Sequence, residues 1–249
     1  MNWSIVGWVV IGLAAILLVL LSFLNKKSRH FTIRKITSVE GLVSAQSDAI
    51  ERGQPRLISL GDQFWSQTYP GLGLHALTVL PMLVDAENVM ADGMFVSGGE
   101  GSLVALARQI VQDDYSNGFS IMLSKPGVNT ILPGPTKFSY LAGLLSEIGL
   151  EQYGSVALLG NYGPEAVIWA EAVQSKGGYV FAGAGSLTAQ AALFSNTEDL
   201  MIGESLYGAS GLLNTAMPEL TGLMVEDIIR FLLILSLLAG VIMKLVGVV

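Results

Sequence analysis

The stretch Val156-Ala-Leu-Leu-Gly-Asn-Tyr-Gly-Pro-Glu165 places four apolar residues directly before a glycine-rich turn and the start of a helix. A short apolar run bounded by turn residues is typical of a strand that is buried on both faces, as in a parallel sheet. The residues from 164 to 175 then have the composition of a helix. The stretch therefore predicts a strand, a tight turn and a helix, the unit from which parallel sheets are built.

The same unit recurs on both sides of this stretch. A strand over 56–60 follows a helix that Ser38 caps and Gly53 ends, and a loop connects it to a helix over 73–90. Four further pairs of strand and helix are predicted at 94–96 and 102–112, 130–132 and 136–148, 179–181 and 186–194, and 200–202 and 204–213. We therefore predict an α/β domain over residues 38–227, with a largely parallel sheet and flanking helices in a Rossmann-like arrangement.

Two apolar segments flank this domain. Residues 5–24 carry no charge, and at about 1.5 Å per residue their length matches the ~30 Å hydrocarbon core of a bilayer. We predict one transmembrane helix over 3–25, with Trp3 and Trp8 at the lipid–water boundary, and a second over 228–249. The second needs Arg230 and Lys244 to extend towards the headgroups. The alternatives are a buried core helix or a cleaved signal peptide for the first segment, and an interfacial or re-entrant helix for the second.

The charges of the chain are distributed unevenly. Five of its 13 basic residues lie in a basic juxtamembrane segment, residues 26–37, directly after the first apolar segment. Because Lys and Arg near a span stay on the cytoplasmic side, we expect a protein of the cell membrane with its central domain in the cytoplasm and both termini outside. Between residues 36 and 227, six basic residues stand against all 20 acidic ones. That net charge of −14 argues against nucleic acid as a partner.

The residue types that most often carry catalysis are scarce. The chain has no Cys and only two histidines, His30 and His75. Disulfides, thiolate metal sites and a thiol nucleophile are therefore excluded. No catalytic residue, metal ligand or cofactor is predicted.

Three predicted strands run into glycine-rich turns, at 97–102, 160–165 and 183–186. Such turns expose backbone N–H groups at one edge of a parallel sheet, where doubly wound folds bind ligands. None of the turns carries the dinucleotide fingerprint or a phosphate-binding lysine, and their glutamates compete with an anionic ligand. The alternative is tight turns whose helices cap themselves. The candidate ligand-binding residues are Gly98, Gly99, Glu100, Gly160, Gly163, Glu165, Gly183, Gly185 and Glu204.

Four stretches together carry a family resemblance: Phe138-Ser-Tyr-Leu-Ala-Gly143, Gly160-Asn-Tyr-Gly-Pro-Glu165, Leu200-Met-Ile-Gly-Glu-Ser-Leu-Tyr-Gly-Ala-Ser210 and Leu223-Met-Val-Glu-Asp227. With them, most of the chain resembles an uncharacterised family of bacterial membrane proteins, of the kind seen in filamentous green bacteria and their relatives. The pattern of that family has a second acidic residue where this chain has Ser205. The resemblance implies the architecture of a membrane-anchored α/β domain, and it implies no activity.

Two hypotheses for the function follow. The first is a membrane-anchored structural or scaffold protein without evident catalytic activity, which associates with copies of itself or with other membrane proteins at the bilayer. The second is a membrane-tethered regulator or enzyme that binds a small molecule at the glycine-rich edge of the sheet. Small residues in the apolar segments, such as Gly7, Gly12 and Gly240, would allow close helix packing and favour the first.

Overall fold

The computed structural model describes residues 37–63, 71–85, 93–117, 128–197, 199–203, 206, 228–231 and 233–234. The chain divides into two compact units, one formed by Lys35–Leu213 and the other by Met1–Arg34 with Asn214–Val249. In the second unit, residues 228–231 and 233–234 are helical. The predicted span over 3–25 and the rest of the span over 228–249 lie outside the described residues. Within the part of the chain that is described, no helix is both long enough and apolar enough to cross a bilayer.

In the described part of the first unit, six strands alternate with six helices. The helices are α1 (Thr37–Glu51), α2 (Leu72–Asp85), α3 (Gly101–Asn117), α4 (Lys137–Leu150), α5 (Ala166–Gln174) and α6 (Leu187–Phe194). The strands are β1 (Arg56–Gly61), β2 (Met94–Ser97), β3 (Val128–Ile131), β4 (Ser155–Asn161), β5 (Tyr179–Ala184) and β6 (Asp199–Met201). All six strands form one parallel sheet in the order β3-β2-β1-β4-β5-β6. The predicted α/β fold with a parallel sheet is therefore confirmed.

Among the described elements, three helices cover each face of the sheet. Side chains of α1, α2 and α3 pack on one face with strand residues such as Ile58 and Leu159. Side chains of α4, α5 and α6 pack on the other face with Leu57 and Leu158. Neighbouring strand residues thus point to opposite cores, and every residue of β1 and β4 is buried. Burial on both faces explains why β4 contains an uninterrupted apolar run from Val156 to Leu159 and why β1 is mostly apolar.

Most predicted boundaries lie within two residues of the observed ones, but α3 continues to Asn117 instead of ending at 112. Ser38, predicted to cap the first helix, lies inside α1, because the helix already includes Thr37. Two residues predicted to open helices are N-caps: the Thr136 hydroxyl accepts a hydrogen bond from Ser139 N, and the Ser186 hydroxyl accepts one from Ala189 N. These bonds satisfy N–H groups that have no partner within the helix. The predicted helix over 73–90 is α2, whose described part ends at Asp85. Of the predicted helix over 204–213, only residue 206 is described.

The pairing of β1 with β4 is irregular at its carboxyl end. Ser59 pairs with Leu158, but Gly61 pairs with Asn161, so that two steps along β1 match three along β4. The extra residue is accommodated where Gly160 has φ +154° and Gly61 has φ +93°, values that favour glycine. A bulge of this kind bends the strand and redirects the residues that follow. Asp62 and Asn161 are brought side by side as a result, and Asp62 N donates to Asn161 O at 3.2 Å.

Gly99 holds the turn after β2 against the end of β1. Its N–H donates to the Gly61 carbonyl oxygen at 2.9 Å. A Cβ on Gly99 would lie 2.6 Å from the carbonyl oxygen of Asp62 and 2.7 Å from its Cα. Real Cβ atoms do not approach backbone atoms so closely. Only glycine therefore permits this contact.

We predict that Gly99→Ala lowers the free energy of unfolding by about 1–3 kcal/mol, because the added methyl group forces the two turns apart. Gly101→Ala is the matched control, since a Cβ at Gly101 meets no atom within 4 Å. The control is expected to change stability by less than about 0.5 kcal/mol. Thermal unfolding of the two variants measures the difference, and equal melting temperatures would contradict the close contact at Gly99.

Candidate functional site

The sheet has its topological switch point between β1 and β4. From β1 the chain builds the sheet outward through β2 and β3, and then crosses back to add β4, β5 and β6 on the other side. The loops after β1 and β4 leave the sheet in opposite directions at such a point, and ligands of open α/β sheets bind in the crevice between them. The two strands end here in Gly61-Asp62 and Gly160-Asn161-Tyr162.

Most of the predicted site residues lie along this carboxyl edge. Gly98, Gly99 and Glu100 follow β2, and Gly163 and Glu165 follow β4. Gly160 and Gly183 lie inside β4 and β5, with Gly185 directly after β5, and Glu204 lies outside the described residues. The structure thus brings the turns after β2 and β4 beside β1, at the switch point. The turn after β5 lies one strand further along the edge. Whether any of these residues binds a ligand stays a prediction.

Backbone N–H groups in the glycine-rich turns are bonded within the protein. Gly98 N donates to the Ile131 carbonyl oxygen at 3.3 Å, and Gly99 N donates to Gly61. Gly163 N donates to Glu165 Oε1 at 3.0 Å. An anionic ligand would have to displace these bonds before it could use the N–H groups. The bonds of Gly98 and Gly99 tie their turn to β3 and β1 and not to its own helix, whereas Ser186 caps α6 as the alternative of self-capping helices predicts.

The two glutamates of these turns lie close to the helix N-termini. Glu100 Oε1 accepts a hydrogen bond from the Ser102 hydroxyl at 2.9 Å. Glu165 occupies the N-cap position of α5 without a side-chain capping bond, because its carboxylate reaches back to Gly163 N. A negative charge at either position stabilises a helix N-terminus and repels an anion.

Asp62 is the most unusual polar residue at the switch point. It is 7% exposed, and its Oδ1 accepts a hydrogen bond of 3.4 Å from Asn161 Nδ2. Its Oδ2 is buried and has no hydrogen-bond partner in the part of the chain that the structure describes. Among the described residues, the cation beside it is Lys137, whose Nζ lies 4.0 Å from Oδ2 and whose side chain is 55% exposed. Burial raises the pKa of Asp62 above its ordinary value of 3.8; Lys137 opposes this shift and Glu165 adds to it.

A buried group of hydroxyls lies close beneath Asp62. The Tyr162 hydroxyl donates to the Ser59 carbonyl oxygen at 2.7 Å, and the Tyr140 hydroxyl hydrogen-bonds Ser59 Oγ at 2.5 Å and Ser97 Oγ at 3.2 Å. The edge of each tyrosine ring contacts Trp169, with centroids 5.5 and 5.7 Å apart. Burial raises the pKa of Tyr140 to about 12 and that of Tyr162 well above its ordinary value, so both hydroxyls stay neutral. Through these hydrogen bonds the buried hydroxyl group connects β1 to β2 and α4.

Sequence reasoning did not select Asp62, Asn161 or Lys137. Asn161 lies inside the quoted turn 160–165, and Asp62 follows a buried strand directly, so both had a local signal. What was missing was the strand order, because Asp62 and Asn161 are 99 residues apart. Only the pairing of β1 with β4 shows that Asp62 and Asn161 lie side by side.

Other sites are poorly supported among the described residues. No group of three or more His, Asp or Glu side chains there is arranged to hold a metal ion. A cleft of about 180 Å³, including space open to solvent, lies on the opposite face of the sheet from Tyr162. Small-molecule pockets are usually about 300–1,000 Å³. The lining of the cleft is mostly apolar: Leu72, His75, Ala76, Val79, Leu159, Gly160 and Leu206.

We predict that Asp62→Asn stabilises the protein at neutral pH by about 1–3 kcal/mol, because the amide removes a buried charge with an unsatisfied oxygen. A carboxyl whose pKa is raised by folding destabilises the folded state when it is ionised. The stability gained by the variant should therefore grow as the pH rises from below 3.8 through the raised pKa of Asp62, and should then stay constant. Melting temperatures between pH 3 and pH 8 measure this dependence.

Asp48→Asn is the control for this prediction. Asp48 is exposed on α1 and forms an i,i+4 ion pair with Arg52 at 3.8 Å. An exposed pair of this kind contributes less than about 1 kcal/mol. A lower melting temperature for Asp62→Asn than for Asp48→Asn at pH 7 would contradict the account of Asp62.

Comparison with known proteins identifies the family to which the chain belongs. The model of a family described as a domain of unknown function (DUF6754) matches residues 1–249, the full length given. Comparison with the curated proteins found no match, and comparison with the solved structures found none either. The predicted resemblance to an uncharacterised family is confirmed, whereas a source in filamentous green bacteria stays a prediction. The chain belongs to the DUF6754 family of uncharacterised proteins.

Proposed function

We propose that this protein is a membrane-anchored scaffold, whose cytoplasmic α/β domain joins copies of itself or other membrane proteins into an assembly. The observation that carries the proposal is the chemistry of the carboxyl edge of the sheet. The N–H groups of Gly98, Gly99 and Gly163 are bonded within the protein, while large apolar side chains are exposed at the same edge of the sheet. An edge of this kind is suited to docking another protein surface.

Anchoring is supported by the sequence at both ends and by the described part of the last segment. The uncharged residues 5–24 and the basic residues that follow them have the pattern of a span with a cytoplasmic end. In the helical residues 228–231 and 233–234, the side chains of Phe231, Leu233 and Ile234 are all at least half exposed. Apolar side chains exposed at nearly successive positions are typical of a helix that meets lipid or a partner.

The docking surface that we propose is formed by Phe138, Ile168 and Leu187, called here the apolar edge. Each side chain lies in the first turn of its helix, α4, α5 or α6, and these three helices pack side by side on one face of the sheet. Phe138 is 84% exposed, Leu187 is 74% exposed and Ile168 is 42% exposed. First turns of helices that follow parallel strands lie at the carboxyl edge, so the three side chains share one end of the domain.

The glycine-rich edge as a site for an anionic small molecule is the second hypothesis, and it receives less support. Its N–H groups are already bonded at Gly98, Gly99 and Gly163. Its carboxylates at Glu100, Glu165 and Asp62 repel an anion. A nucleotide or another phosphate ester is therefore disfavoured at this edge.

We predict that Phe138→Ser reduces the size of the complex that detergent extracts from the membranes. A serine removes the largest exposed apolar side chain of the apolar edge and leaves the fold intact, because surface substitutions usually change stability by less than about 0.5 kcal/mol. Size-exclusion chromatography of the extracted full chain measures the effect. The melting temperature of the variant checks that the domain is folded.

The matched control is Leu150→Ser. Leu150 ends the same helix at the opposite edge of the sheet and is 79% exposed, so it loses a comparable apolar surface. The control should elute like the unaltered protein. If Leu150→Ser and Phe138→Ser elute alike, the assembly does not use the apolar edge, and elution of the unaltered chain as a monomer would reject the scaffold itself.

A further inference from the structure

The unsatisfied oxygen of Asp62 points to a ligand-binding site that the scaffold proposal does not use. Buried carboxylate oxygens are normally hydrogen-bonded, and each exception requires a physical reason. Asp62 Oδ2 is buried without a hydrogen-bond partner, at the switch point where doubly wound sheets bind ligands. The residue is held firmly in this position, since its backbone is bonded to Asn161 and is in close contact with Gly99. The oxygen is therefore a fixed acceptor rather than a mobile surface group.

The other polar atoms around Asp62 are mostly acceptors too. Asn161 Nδ2 donates to Asp62 Oδ1 and lies 3.5 Å from Gln63 Oε1. Glu165 is close enough for its charge to act on Asp62. Two carboxylates and one ammonium, that of Lys137, leave this group of residues with a net charge of −1. A ligand that fits must bring hydrogen-bond donors and a positive charge.

We infer that the crevice between β1 and β4 binds a small molecule through a cationic nitrogen group, an ammonium or a guanidinium, which donates hydrogen bonds to Asp62 Oδ2. Such charge-assisted bonds are short and about twice as strong as neutral ones. The inference is independent of the scaffold proposal, because it concerns the switch point and not the apolar edge.

Lys137 supports this choice of ligand. Its ammonium is drawn to Asp62 Oδ2 but stops at 4.0 Å, too far for a hydrogen bond. More than half of the Lys137 side chain is exposed, so it can turn away when a better placed cation enters. The position of this ammonium shows that a positive charge is attracted to Asp62 Oδ2, where a ligand nitrogen could come within hydrogen-bond distance. A divalent metal ion fits less well, because no third carboxylate or histidine joins Asp62 and Glu165 among the described residues.

The test uses methylguanidinium as the probe, with neutral N-methylurea as its shape-matched control. The full chain is embedded in lipid nanodiscs, and saturation-transfer NMR measures probe binding by titration at millimolar concentration. Binding of methylguanidinium without binding of N-methylurea is expected. Equal signals from the two probes would overturn the inference, because the site would then not select a positive charge.

Three variants connect the signal to the site. Asp62→Asn should weaken methylguanidinium binding at least about tenfold, as expected when a hydrogen bond to a charged group is lost. Asp48→Asn, on the exposed surface of α1, should leave the binding unchanged. Lys137→Gln should tighten the binding about twofold to fivefold, because a partly exposed competing charge is removed.

Two outcomes oppose the inference directly. Unchanged binding in both Asp62→Asn and Lys137→Gln would place the probe elsewhere on the protein. If magnesium chloride raises the melting temperature of the unaltered protein and methylguanidinium does not bind, the crevice takes a metal ion instead. If Asp62→Asn fails to fold, the affinity of Lys137→Gln for methylguanidinium tests the inference by itself. The Lys137 side chain is more than half exposed, so its replacement leaves the buried hydroxyl group of Tyr140 and Tyr162 intact.

Discussion

The parallel pairing of β1 with β4 is the interaction on which the rest of the structure depends. It joins the half of the sheet built from β1, β2 and β3 to the half built from β4, β5 and β6. Both strands are buried along their whole length, so their backbone groups depend on each other for hydrogen bonds. The bulge at Gly61 and Gly160 ends this pairing and determines where Asp62 and Asn161 lie. One irregular strand pair thus fixes both the core of the domain and its crevice.

The sequence predicts the strands well, because a strand that is buried on both faces of the sheet is rich in apolar residues. The central strands β1, β4 and β5 are rich in apolar residues, and Thr136 and Ser186 mark helix starts through their capping hydroxyls. The order of the strands leaves no such record. Ser59 and Tyr140 are bonded across 81 residues, and nothing local to either residue indicates the other. Glycine-rich turns were therefore visible from the sequence, whereas the crevice residues between them were not.

The edge of the sheet combines two chemistries that usually belong to different proteins. Its turns are rich in glycine, as nucleotide sites are, but they lack the dinucleotide fingerprint, and the N–H groups of Gly98, Gly99 and Gly163 are bonded to Ile131, Gly61 and Glu165. Glycine serves here to bring backbones together, as the contact of Gly99 with Asp62 illustrates. Negative charge and exposed apolar side chains then replace the anion-binding surface of a typical doubly wound fold. A scaffold with a separate acceptor site for a cation accounts for both features.

The central claim is that an α/β domain is held at the cytoplasmic face of a membrane by both of its ends. A reporter enzyme that is active only outside the cytoplasm tests it most directly, fused after Val249 in one version and inserted at Gly177 in another. Gly177 lies in an exposed turn after α5, where an insertion leaves the packed core undisturbed. The account predicts activity after Val249 and none at Gly177. No activity after Val249, or activity at Gly177, would contradict it.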